Sequence, residues 1–166
     1  LLLEKGSRFS QEAYVGMGSA SLAAGRTGAA KSEFEEALKI NSGNPAANVG
    51  LGKVAVAESR YEDARALLVP VAEKSTTISG AEAQYYLGKI EQDQNNFEAA
   101  IENYSKVRVL FEAFEIWVSK ALYNSAECHI RLGNRGEAMS ILNGIIEKYP
   151  DTEGAVQAQS LLDSTE

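Results

Sequence analysis

Apolar residues return at intervals of three and four along most of this chain. Tyr14, Met17 and Leu22 stand at i, i+3 and i+8 of one such face, and Ala30, Phe34, Ala37 and Leu38 at i, i+4, i+7 and i+8 of another. That is the period of a helix face, not the alternation of a strand. Four turn-forming pairs interrupt the pattern: Gly25-Arg26, Ser59-Arg60, Asn95-Asn96 and Gly133-Asn134. Each suits a helix stop or a residue in the left-handed region. Asn44-Pro45 reads as a helix start, because the asparagine side chain can cap an exposed amide and proline lacks the amide hydrogen that a first turn leaves unpaired. A further start lies near Pro150-Asp151-Thr152, and Ala155, Ala158, Leu161 and Leu162 then supply one more apolar face.

The helical segments repeat. Gly18, Gly52, Gly88 and Ala126 fall in one column, Ala30, Ala64, Ala100 and Ala138 in a second, and Phe34, Leu68, Tyr104 and Leu142 in a third. The alanine column steps by 34, 36 and 38 residues. Each unit therefore reads as two helices joined by a short turn, and a period in this range marks a helical array. Glycine inside a helix costs about 1 kcal/mol relative to alanine. Three glycines in one column predict a close helix crossing within each hairpin, with the larger column supplying knobs between neighbouring hairpins.

The pattern resembles the tetratricopeptide repeat from about Phe9 to Pro150. Repeat one offers Tyr14, Met17-Gly18, Ala30, Phe34 and Ala37, and repeat two Leu51-Gly52, Tyr61 and Ala64. Repeat three offers Leu87-Gly88, Phe97, Ala100 and Tyr104, and repeat four Ala126, Ala138 and Tyr149-Pro150. Ser21, Ala55, Glu91 and His129 stand where the family usually has tyrosine, and Ser42 where it has a closing proline. The resemblance implies an all-α chain coiled as a right-handed α-α superhelix. Residues 1–166 form a single array, with the end of a preceding or capping helix at 1–8 and repeats at 10–42, 44–76, 79–110 and 112–150. A capping helix follows at 152–163. The run from Ala121 through Leu162 is also similar to repeats of bacterial envelope tetratricopeptide proteins, which implies a periplasmic or outer-membrane-associated parent protein, with a cytoplasmic one as the alternative.

What such a fold implies is a scaffold that holds a partner peptide or helix on its inner, concave side, supplied mainly by the first helix of each hairpin. The corresponding positions are Val15, Ser19 and Leu22; Val49, Lys53 and Val56; Tyr85, Lys89 and Gln92; and Tyr123, Glu127 and Ile130. Tyr85 and Tyr123 would anchor the partner and Lys53 and Lys89 orient it. Val15 and Ser19 replace the lysine and asparagine of the clamp used by the chaperone-tail-binding subgroup, so capture of a terminal acidic peptide by that clamp is not expected.

Two irregular stretches offer a second kind of contact. Leu1, Leu2 and Leu3 open the chain with apolar residues where a terminal repeat needs a polar outer face. Phe111, Phe114 and Trp117 recur every three residues, so an extended first helix in unit four would set them along one side. They either pack on the preceding hairpin or protrude as an aromatic interface. End-to-end or homo-oligomeric assembly through such surfaces is the alternative function.

Composition narrows the chemistry. The 166 residues carry 16 Lys+Arg against 23 Asp+Glu, a net charge of −7, and are 45% hydrophobic. That is enough apolar material to fold, with a field that repels nucleic acid phosphate. No run approaches the roughly 18 apolar residues of a membrane span, so this segment is not expected to insert. The first residue is Leu1, and a processed or excised piece of a longer protein is expected. Cys128 is the single cysteine and His129 the single histidine. Adjacent positions point about 100° apart on a helix, so they form neither a ligand pair nor a nucleophile and base. Without a zinc or phosphate-loop motif, no catalytic residue, metal site or cofactor is expected.

Overall fold

The computed structural model describes the backbone from Leu2 to Ser164 and side chains from Arg8 to Ser164. Among the described residues it is all-helical: α1 (Leu2–Ala23), α2 (Thr27–Ile40), α3 (Pro45–Ala57), α4 (Tyr61–Lys74), α5 (Ile78–Asp93), α6 (Phe97–Leu110), α7 (Glu115–Arg131), α8 (Arg135–Lys148) and α9 (Glu153–Asp163). Two compact units hold them, α1 to α4 in Leu1–Ser75 and α5 to α9 in Thr76–Glu166. Within each unit every helix packs on the next.

One device makes all four hairpin turns. Gly25, Ser59, Asn95 and Gly133 have φ of 72°, 57°, 62° and 80°. The amide that follows each of them reaches back into the helix: Arg26 to the Ser21 carbonyl at 2.8 Å, Arg60 to Ala55 at 2.8 Å, Asn96 to Glu91 at 2.9 Å and Asn134 to His129 at 2.8 Å. This is a helix stop of the Schellman type. It uses the backbone of the four positions where the family's tyrosine is missing, and any residue supplies a carbonyl. Side chains cap the starts of α3 and α9, with Asn44 accepting from the Ala47 amide at 2.9 Å and Thr152 from the Ala155 amide at 3.3 Å.

The glycine and large-residue columns meet in space. A Cβ added at Gly18 would lie 2.7 Å from Phe34, at Gly52 2.6 Å from Leu68, and at Gly88 2.6 Å from Tyr104. In these three hairpins the second helix thus presses its largest core side chain onto the bare backbone of the first, whereas in the fourth Leu142 clusters with Ala126. Phe34 also lies against Gly50 on α3, so its ring serves both its own hairpin and the next.

A second rule joins consecutive hairpins. Ala30, Phe34 and Ala37 of α2 share a buried cluster with Ala47 and Val54 of α3. In the second unit Ala100, Tyr104 and Val107 of α6 cluster with Ala121 and Cys128 of α7. Ala138, Leu142 and Ile145 of α8 do so with Ala155 and Ala158 of α9. A trio at i, i+4 and i+7, an alanine followed by the large residue and a third apolar side chain, therefore covers alanine-bearing positions on the next helix.

Two boundaries differ from the sequence reading. A helix ending near residue 8 and another starting near 10 are replaced by one continuous α1. No proline falls there, and carrying Gly6 inside a helix costs only about 1 kcal/mol. The first helix of unit four starts at Glu115, not before Phe111. Phe111 caps α6, its amide bonding the Val107 carbonyl at 3.0 Å, and the Phe114 amide closes a turn onto the Phe111 carbonyl at 2.9 Å. The three aromatics therefore do not share one helix.

Replacing Gly88 with alanine should destabilise the protein by about 1–3 kcal/mol, the usual cost of overpacking. Gly16 has nothing within 4 Å, so Gly16→Ala should instead stabilise by roughly 0.5–1 kcal/mol. Urea denaturation of the two variants measures both, and equal effects would contradict the close approach at Gly88.

Candidate functional site

The twelve inner-face positions divide by accessibility. In the first unit Ser19 is exposed and donates its hydroxyl to the Val15 carbonyl at 2.9 Å. Val15 and Leu22 are half-buried against the cluster around Phe34. Lys53 and Val56 are half-buried, but Val49 is only 1% exposed and cannot meet a partner. Helix α3 carries one charged residue, Lys53, and packs on α1, α2 and α4. A helix apolar on most sides is buried on most sides.

The second unit builds a more connected surface. Asn124 on α7 donates to the Tyr85 hydroxyl at 2.9 Å and to the Tyr104 hydroxyl at 3.2 Å. Tyr104 donates in turn to Gln92 Oε1 at 2.6 Å. Gln92 Nε2 lies 3.5 Å from Glu127, whose other oxygen accepts from Tyr123 at 3.4 Å. Lys89 pairs with Asp93. The chain of contacts runs from the core at Tyr104, 1% exposed, to the half-exposed ring of Tyr123.

Tyr85 belongs to the buried end of this network. Its ring centroid is 5.3 Å from Tyr86, 5.6 Å from Tyr104 and 5.3 Å from Trp117, distances typical of favourable aromatic packing. Burial raises its phenol pKa well above the ordinary value of 10.0, with Tyr86 adding to the effect and the Asn124 hydrogen bond opposing it. Tyr85 is half-buried, and this packing makes its ring part of the support of the unit. For Tyr123 desolvation and then Glu127 raise the phenol pKa, and its ring is half-exposed.

Phe111 is 5% exposed and its side chain belongs to the interior. Phe114 is half-buried, and Trp117 packs on Tyr85 and Tyr86 with the Lys120 ammonium 5.6 Å from its ring centroid. The protruding aromatic interface is thereby replaced by packing onto the preceding hairpin. Leu1 lies outside the described residues, as do the side chains of Leu2 and Leu3.

Asn124 escaped sequence reasoning altogether. It lies two residues before Ala126, as Gly50 lies two before Gly52, and this is the position that receives the large side chain of the preceding second helix. Where that side chain is a phenylalanine the position is glycine; where it is a tyrosine the position carries a hydrogen-bond donor. Alignment of the columns contained this signal.

Catalytic features are weak. Cys128 is buried in the core beside Ala121 and Tyr104, and desolvation pushes its thiol up to about 12. It stays a protonated packing group at neutral pH, since only a thiolate is a strong nucleophile. Among the described residues no three His, Cys, Asp or Glu side chains are placed to hold a metal ion, and no helix is long and apolar enough to cross a membrane.

Comparisons agree with this architecture. Tetratricopeptide repeat models match residues 21–84 and 120–152, together more than half of the chain. None of the curated proteins matches it. A structure from Pseudomonas aeruginosa, described as a functional characterization of pilF, aligns at TM-score 0.78 and 18% identity, covering 96% of this chain and 71% of that one. YrrB, described as a TPR protein with an unusual peptide-binding site, aligns at 0.63 and 23% identity over 91% of this chain and 75% of its own. MamA aligns at 0.65 and 20% identity over 87% and 75%. At these identities the likeness is one of fold.

Asn124→Ala should cost roughly 1–3 kcal/mol by removing the hydrogen-bond donor to the Tyr85 hydroxyl and one of the two partners of the Tyr104 hydroxyl. Tyr123→Ala should cost less than 1 kcal/mol, because its ring is half-exposed and its hydrogen bond long. Thermal and urea denaturation of both variants should rank them in that order; the reverse order would refute the division into buried support and open surface.

Proposed function

The chain belongs to the tetratricopeptide repeat family, and from that premise we propose a non-catalytic scaffold that binds a protein or peptide partner on the first-helix faces of its hairpins. The observation that carries this reading is the surface at Tyr123, where a half-exposed aromatic ring lies beside Glu127 and, through it, Gln92, and packs with Ile130 on one apolar cluster. Aromatic anchors commonly dominate interfaces. Lys89 with its partner Asp93 and the Glu127 carboxylate supply polar contacts that can fix a bound segment's direction. In the first unit Ser19, Lys53 and Val56 offer a smaller surface of the same kind. The peptide-binding site in the description of YrrB supports the class of partner.

Placement of the parent protein in the bacterial envelope is a further proposal, resting on the resemblance of the segment from Ala121 to Leu162. Fractionation of cells producing the parent protein tests it.

A second reading, end-to-end assembly, is favoured by α1. Ala13, Gly16 and Ala20 stand at the register of Ala47, Gly50 and Val54 on α3. The α3 residues are buried by α2, but those of α1 are exposed, beside Phe9 at 70% and Met17 at 51%.

Peptides selected from a displayed library on the full chain should lose at least tenfold in affinity, about 1.4 kcal/mol, with Tyr123→Ala. Unchanged binding would remove this surface from the proposal. For the second reading, light scattering over a concentration series should show a rising mass that Gly16→Glu abolishes; a single-chain mass throughout would rule out self-assembly through α1.

A further inference from the structure

An apolar cleft of about 100 Å³ opens between the end of α7, the start of α8 and the end of α9. Ile130, Ala138, Met139, Leu142 and Leu161 line it and Arg135 stands beside them. Its origin lies in the repeat. The preceding hairpin carries Phe97 as the first residue of its second helix and Tyr104 seven residues later, and both rings pack into the cluster between α5, α6 and α7. At the same positions the last hairpin carries Arg135 and Leu142. Leucine is shorter than tyrosine, and arginine keeps its charged head in water. The volume that two aromatic rings fill in one layer is therefore left open in the next. Met139, 50% exposed, stands at its mouth.

The shape and its charge define an occupant. An apolar cavity of roughly 150 Å³ takes benzene, and a smaller cleft open on one side can seat a ring with one edge protruding. Arginine favours a carboxylate partner. We propose that this cleft binds the aromatic side chain of a partner peptide, with an acidic group next to it in that peptide meeting Arg135. The site goes beyond the inner-face surface, with which it shares only Ile130.

The probe is 3-phenylpropionate, which carries a ring and a carboxylate at side-chain distance, added to the full chain. The methyl carbons of Met139 and Met17, the two methionines of the sequence, are followed by NMR. Saturable movement of the Met139 signal without movement of Met17 is expected. Arg135→Glu should weaken 3-phenylpropionate at least fivefold and leave the uncharged 3-phenylpropanol unchanged. An acidic residue at a helix start is favourable, so this variant should fold. Tyr123→Ala should leave the titration as it is, which separates this site from the inner face. Equal shifts of both methionines, saturation by propionate or hexanoate at the same concentration, or no effect of Arg135→Glu would overturn the proposal. Movement of Met139 on dilution of the protein alone would also overturn it, by assigning the cleft to a second copy.

Discussion

The structure depends on the contact, made in three of the four hairpins, between a large side chain on the second helix and a glycine on the first. Phe34 on Gly18, Leu68 on Gly52 and Tyr104 on Gly88 bring the helices of a hairpin closer than any Cβ allows. Helix propensity opposes the glycines by about 1 kcal/mol each, so the crossing has to recover that cost by dispersion and burial. With the crossing fixed, the remaining faces follow. The trio of alanine, large residue and third apolar side chain points toward the next helix, and the first helix is left with one face that neither partner covers.

That uncovered face is uneven. In the second unit its inner part carries Tyr85 and Asn124, joined to each other and to Tyr104 of α6 by hydrogen bonds of 2.9 and 3.2 Å. The open part carries Tyr123, Glu127 and Ile130. Support and contact surface therefore lie a few residues apart on one helix. In a low-dielectric interior an unmade hydrogen bond is costly, so the network resists deformation beneath the surface that meets a partner. The last hairpin departs from the same scheme at Arg135 and Leu142, and its cleft is a direct result of that departure.

Most of the fold was legible because its determinants are local and repeated. Glycine at two turns, asparagine and serine at the others, Asn44-Pro45 and the columns of alanine and glycine each act within a hairpin, and a repeat displays them several times. The candidate surface was legible only in part. Tyr85 and Tyr123 occupy equivalent positions, yet one is surrounded by Tyr86, Tyr104 and Trp117 and the other is not. Periodicity places both on one face and carries no information about the neighbours that bury Tyr85. Phe111 misled for a related reason: spacing of three is compatible with a helix, but a helix cap and turn placed its ring inward. Val49 was lost to burial because α3 packs on three helices, a property of the whole unit.

A double-mutant cycle between Gly52→Ala and Leu68→Ala tests the central contact most directly. If the glycine is there to admit the leucine, the methyl added at position 52 is costly beside Leu68 and harmless once that side chain is cut back. The double variant should then be more stable than the sum of the single effects by about 1 kcal/mol or more, within the range found for residues in contact. Additivity within about 0.3–0.5 kcal/mol would contradict the account, because it is what independent sites give.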